Sequence, residues 1–111
     1  MSDLPGFERR LSVRYACDGP ALCHLGAGVR YECRWARTRD VSARGAGLLM
    51  SAALRPGLEL TLEFPEHGSP VRRALRARVA HCTEVGDGTW LVGCRFDAPL
   101  ADHELRALAG A

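Results

Sequence analysis

Three arginines, Arg9, Arg10 and Arg14, stand close together near the start of the chain in the run R-R-L-S-V-R. Their guanidinium groups repel one another unless an anion sits among them. Each also offers a planar fork of N–H donors that matches phosphate oxygens and the edge of guanine. A second polar cluster, R-D-V-S-A-R-G-A-G, runs from Arg39 to Gly47 between hydrophobic stretches. Asp40 and Ser42 lie two apart, so on an extended backbone both side chains point to the same face. Gly45 and Gly47 let the chain take positive φ or admit another group close to the backbone. Two readings fit this cluster by itself: an ordinary turn in which Asp and Ser satisfy local backbone N–H groups, or an elbow that presents a carboxylate and a hydroxyl.

The elements that must position these groups are legible as two-residue alternation. Leu11 and Val13 alternate with Ser12 and Arg14, which predicts that Arg10, Ser12 and Arg14 share one face of an entering strand. Tyr15 to Leu25 is weakly strand-like, and Gly19-Pro20 inside it predicts a bulge, an edge or a turn. Gly26-Ala27-Gly28 predicts a hairpin loop. Val29, Tyr31, Cys33 and Trp35 then alternate with Arg30, Glu32 and Arg34, so the first set is expected in the core of a strand that delivers Asp40 to the elbow.

A strand over Ala46 to Ala53 is expected next, closed by Arg55-Pro56-Gly57. Leu58, Leu60, Leu62 and Phe64 give the clearest strand, followed by a loop from Pro65 to Pro70. Leu75, Ala77 and Val79 mark a long strand from near Val71 towards Thr83. Gly86-Asp87-Gly88 turns the chain into Trp90, Val92, Cys94 and Phe96. Asp102 to Leu108 reads as a short helix with Asp102 as N-cap. Six or so strands with a helix only at the end argue for a small antiparallel barrel.

At 111 residues and 12.1 kDa the chain has the size of one domain. The net charge of +2 will not hold a long polyanion over the whole surface, and all fifteen basic residues are arginine. The five cysteines, Cys17, Cys23, Cys33, Cys82 and Cys94, are odd in number and form no C-x-x-C pair, so a disulfide framework is not expected. With no apolar leader and no run of about 18 apolar residues, the chain is expected to be cytoplasmic and not to span a membrane.

Taken together, R-R-L-S-V-R and, about thirty residues later, D-V-S-A-R-G resemble the PilZ domain, whose pattern is R-x-x-x-R followed by [D/N]-x-S-x-x-G. The L-R-P-G-L-E-L-T-L-E-F strand, the V-G-C-R-F strand and the closing helix fall where that domain has such elements. The resemblance implies an all-β fold, a six-stranded antiparallel β-barrel of split-barrel type with a short C-terminal α-helix. It divides the chain into a flexible leader over 1–8 and one PilZ-like domain over 9–109. It also implies a receptor for cyclic di-GMP, not an enzyme, with no cofactor and no metal.

Carried over by position, Arg10 and Arg14 would grip guanine and phosphate, Asp40 and Ser42 would contact a guanine edge, and Gly45 would keep the elbow open. Arg9 stands where an extra arginine accompanies capture of an intercalated ligand dimer, which implies two ligand molecules per chain. Guanine's O6 and N7 accept from arginine, and its N1–H and N2–H₂ donate to a carboxylate. The arginine arm would order on the ligand and signal through an unidentified protein effector, the chain itself being a monomer.

Competing readings are a ligand-independent PilZ adaptor, a nucleic-acid-binding barrel and an enzyme. Arg72, Arg73, Arg76 and Arg78 could track a phosphate backbone, but Trp35 and Trp90 are expected in the core, leaving no stacking platform. Cys33, Cys82 and Cys94 are likewise expected in the core. His81 and Cys82 are strand neighbours that point to opposite faces, and Cys17, Cys23, His24 and Cys33 lack zinc-site spacing.

Overall fold

Alternating inward and outward side chains wrap this chain into a closed wall. The computed structural model describes residues 14–26, 32–65 and 72–110. The strands are β1 (Tyr15–Leu25), β2 (Glu32–Val41), β3 (Gly45–Met50), β4 (Glu59–Pro65), β5 (Arg72–Gly86) and β6 (Thr89–Phe96), followed by the helix α1 (Asp102–Ala109). They form a closed barrel in the order β1-β2-β3-β6-β5-β4, with every neighbouring pair antiparallel. This is the six-stranded barrel with a C-terminal helix expected from the alternation. The leader, Arg9, Arg10, the expected strand entry at Leu11 to Val13, and residues 27–31 and 66–71, with the expected strand positions Val29, Tyr31 and Val71, lie outside the described residues.

The interior is filled by Leu60, Leu62 and Phe64 of β4, Ala77 and Val79 of β5, and Val92, Cys94 and Phe96 of β6. Phe64 and Phe96 meet edge to face with centroids 6.4 Å apart. Small residues complete the lumen: Ala21 and Cys23 of β1, Ala36 of β2 and Ala46 of β3 are all buried. A narrow barrel takes small side chains on part of its inner wall so that larger ones can cross it.

That preference overturns the expected facing of β2. Trp35 is 60% exposed and Cys33 is exposed, whereas Ala36 and Thr38 point inward. Trp90 lies half-buried against the core, as does Cys82, and Cys94 is fully in it. Gly19 and Pro20 stay within β1, next to a bulge between Ala16 and Gly19 in its pairing with β2. Among the described residues β1 pairs with β4 over Leu22–Leu25, so Pro20 meets the wall beyond that described pairing.

The helix begins one residue earlier than expected. Its N-cap is Ala101, and Asp102 is already helical. Glu104 performs the capping, its Oε1 accepting from the Ala101 backbone N–H at 2.8 Å, while Oε2 accepts from Arg73 of β5 at 2.9 Å. Leu105 and Leu108 are buried. This described helix is not long and apolar enough to cross a membrane.

Candidate functional site

The elbow lies between β2 and β3, and its serine and its aspartate do different things. Ser42 is 2% exposed, and its hydroxyl donates to the Gly45 carbonyl at 3.4 Å and accepts from the Arg44 N–H at 3.3 Å. For Ser42 the turn reading holds. Asp40 instead reaches across the sequence: Oδ1 accepts from Arg14 Nη1 at 2.7 Å, and Oδ2 from Arg39 Nε at 3.2 Å. β2 ends at Val41, and Ser42 already belongs to the turn, its hydroxyl bonded to the Gly45 carbonyl and the Arg44 N–H. Asp40 and Ser42 therefore do not share a strand face.

The glycines are required by close approach, not by positive φ, which neither Gly45 nor Gly47 adopts. A Cβ on Gly45 would overlap the backbone carbonyl oxygen of Cys94. On Gly47 it would stand 2.9 Å from Asp40 Oδ1. Gly45 thus fits β3 against β6, and Gly47 leaves room for the carboxylate.

One row of residues crosses four strands. Asp40 pairs with Gly47, Gly47 with Gly93, and Gly93 with His81. Its two central positions carry no side chain and are buried, Gly47 under the Asp40 carboxylate and Gly93 under an imidazole, so the row makes a flat floor with those two groups laid on it. The His81 ring lies over Gly93, where a Cβ would overlap it. A cleft of about 680 Å³ opens above this floor, and Arg14, Arg39, Arg44 and Arg95 all line it.

Charge pairing separates this cleft from the arginine row of β5. The arginines of β5 each face a carboxylate: Arg72 and Glu63 at 3.6 Å, Arg73 and Glu104 at 2.9 Å, Arg76 and Asp97 at 3.8 Å, Arg78 and Glu59 at 2.7 Å. Arg44 and Arg95, at the cleft, have no ion pair among the described residues. Arg14 and Arg39 share the single carboxylate of Asp40. Positive charge is therefore in excess at the cleft, and an anion bound there meets donors that are not already committed.

Of the residues singled out by sequence, the structure brings Arg14, Asp40, Ser42 and Gly45 to one cleft; Arg9 and Arg10 lie outside the described residues. Sequence reasoning missed Arg39, Arg44 and Arg95 as lining groups, and Gly93 and His81 in the floor, while Gly47 was expected as a place of close approach. A glycine inside a strand, as at Gly93, is a signal of close approach that could have found the floor.

Fold and cleft together define a class: a small closed antiparallel barrel with an open, basic groove on its outer wall. The pattern of the PilZ domain matches residues 8–110, and the chain belongs to that family. Among solved structures it is similar to the PilZ domain of YcgR from Escherichia coli with c-di-GMP, at TM-score 0.68 and 20% identity over 92% of this chain and 89% of that one. It is also similar to YcgR in complex with c-di-GMP from Escherichia coli, at TM-score 0.61 and 21% identity, covering 90% of this chain but 42% of that one. At this identity the likeness is one of fold. None of the curated proteins compared matches the chain.

Proposed function

We propose that this domain is a receptor for cyclic di-GMP. The observation that carries the reading is the contact of Arg14 with Asp40 across 26 positions, at the edge of a glycine floor. It joins the end of the arginine run to the elbow, and neither half has the chemistry alone. A guanine lying on the floor would give N1–H and N2–H₂ to the Asp40 carboxylate and take an arginine fork at O6 and N7. The phosphates would meet Arg44 and Arg95, and Arg9, Arg10 and Arg14 would close from the N-terminal side. Membership of the family whose YcgR members are solved with c-di-GMP supports the ligand's identity.

In this reading Ser42 acts by holding the elbow, and Gly45 by seating it on β6. The family pattern at Arg9 argues for two stacked ligand molecules. The domain would work as a cytoplasmic switch, not a catalyst, its arm ordering on the ligand and offering a new surface to a protein effector. The partner-facing unit would be the domain over 9–109.

Trp35 keeps a second reading in view. Because it is exposed and has the Arg72 guanidinium 5.8 Å from its ring centroid, a stacking platform for single-stranded nucleic acid does exist. It is a single ring, and the neighbouring β5 arginines are committed to carboxylates.

Calorimetric titration of cyclic di-GMP into the chain tests the proposal, giving affinity and stoichiometry together. A charged hydrogen bond contributes about 1.5–3 kcal/mol, so Arg10→Ala and Arg14→Ala should each weaken binding about ten- to a hundredfold. Unchanged affinity in both variants would remove the site. Salt-dependent binding of single-stranded DNA without binding of cyclic di-GMP would favour the second reading.

A further inference from the structure

On the wall formed by β2, β1 and β4, a thiol, an imidazole and a carboxylate stand in line. Cys33 of β2 and His24 of β1 are directly opposed in register, and Cys33 Sγ lies 3.4 Å from His24 Nδ1. On the far side of the ring, His24 Nε2 lies 3.4 Å from Glu63 Oε1 of β4. The Arg72 Nη1 lies 3.6 Å from that same oxygen. The ring's two nitrogens point to opposite neighbours, so the three groups cannot converge on one metal ion; they form a relay. With the ring proton on Nε2, Nδ1 is the acceptor for the Cys33 S–H.

The cysteines are sorted by burial. Cys33 is exposed, while Cys23 and Cys94 are buried, Cys17 and Cys82 half-buried. Burial pushes the Cys23 thiol up to about 11 and the Cys94 thiol up to about 12. Burial, with the Asp18 charge, also raises that of Cys17. The thiol with a base in contact is also the one open to solvent.

We propose that Cys33 is a modification site, activated by His24 and oriented through Glu63, that exchanges with a low-molecular-weight disulfide. His24 Nδ1 takes the thiol proton, and the resulting imidazolium is stabilised by Glu63. The Cys33 sulfur attacks one sulfur of the small disulfide and forms a new S–S bond. The old S–S bond breaks, and its electron pair leaves on the second sulfur, which takes the proton back from His24. Cys33 is thereby oxidised to a mixed disulfide while half of the small disulfide is reduced to a thiol; a second thiol reverses the step. The proposal is independent of the nucleotide reading.

The charged groups around His24 are Glu63 beside its ring and Glu59, Arg76 and Asp97 in the pocket that it lines, with Arg76 paired to Asp97. Glu59 of β4 is taken by Arg78, and Glu32 of β2 by Arg34. The test compares labelling of the full chain by iodoacetamide and by oxidised glutathione, native and urea-denatured, with peptide mass spectrometry. At about pH 6 native Cys33 should react roughly fivefold faster than denatured Cys33, because the imidazole in contact takes the thiol proton as the sulfur attacks. The advantage should shrink towards about pH 8.5, where the free thiol also ionises. His24→Gln should abolish it and Glu63→Gln should reduce it. Continued protection of Cys23 and Cys94 in each variant shows an intact barrel. Native Cys33 no faster than denatured at about pH 6, an undiminished advantage in an intact His24→Gln barrel, or Cys82 labelling first would overturn the proposal.

Discussion

Asp40 and the two glycines flanking the elbow's exit show how one added methyl group separates binding from folding. A Cβ at position 47 meets only the end of a side chain, 2.9 Å from Asp40 Oδ1. A Cβ at position 45 meets the Cys94 backbone carbonyl, which cannot move without parting β3 from β6. Gly47→Ala should therefore displace the carboxylate from Arg14 and weaken cyclic di-GMP binding by about tenfold. Its thermal midpoint should stay close to that of the parent. Gly45→Ala should lose about 1–3 kcal/mol of stability as an overpacked site. Calorimetry and urea unfolding on the two variants check this, and equal stability of both would contradict it.

Elements are held together by a few shared groups, and Glu104 is the clearest. One carboxylate caps α1 through Ala101 and ties the helix to Arg73 of β5. Glu104→Ala removes both contacts and should cost about 1 kcal/mol. That lowers the thermal midpoint by about 5 °C for a domain of this size, whereas Glu104→Gln, which keeps a cap acceptor, should lose less. At this scale the sequence was most informative where large apolar residues alternate, as at Leu60, Leu62 and Phe64. It misled at β2, because the inward residues there are Ala36 and Thr38 and the outward ones Cys33 and Trp35. Hydrophobicity alone does not reveal that a narrow lumen selects for size. The helix start was misplaced by one residue because Asp102 resembles a cap, while the capping group comes from Glu104. In the site, Arg14 and Asp40 were legible because motif residues carry their chemistry in their type. Arg44, Arg95 and His81 were not, since only the strand register brings them to the same cleft.

The whole molecule responds to pH through its buried thiols. Both Cys23 and Cys94 have folded values raised above the ordinary 9.0, so the fold holds their protons more tightly than the unfolded chain does. Their contribution is fully present below about pH 9. It is lost as pH rises through the folded values of about 11 and about 12. Arginine remains charged throughout that range, so the ion pairs on the wall persist while the thiols ionise. Urea unfolding in the presence of reductant should show stability falling progressively from about pH 9, with a shallower fall in Cys94→Ala. A flat profile to about pH 11 would contradict the assignment.

Closure of the barrel limits how a partner can attach to it. A sheet with a free edge can recruit a partner by lending it backbone hydrogen bonds, with little regard to sequence. Here the six strands close into a ring, and where β1 runs beyond its four described pairs with β4 it carries Pro20, which has no N–H to lend. Recognition must then be written in side chains, and a partner has to read the pattern of arginines, carboxylates and the exposed indole rather than extend the sheet. Such a surface can be rewritten residue by residue without disturbing the ring, so one scaffold can carry different recognition patterns beside the same basic cleft.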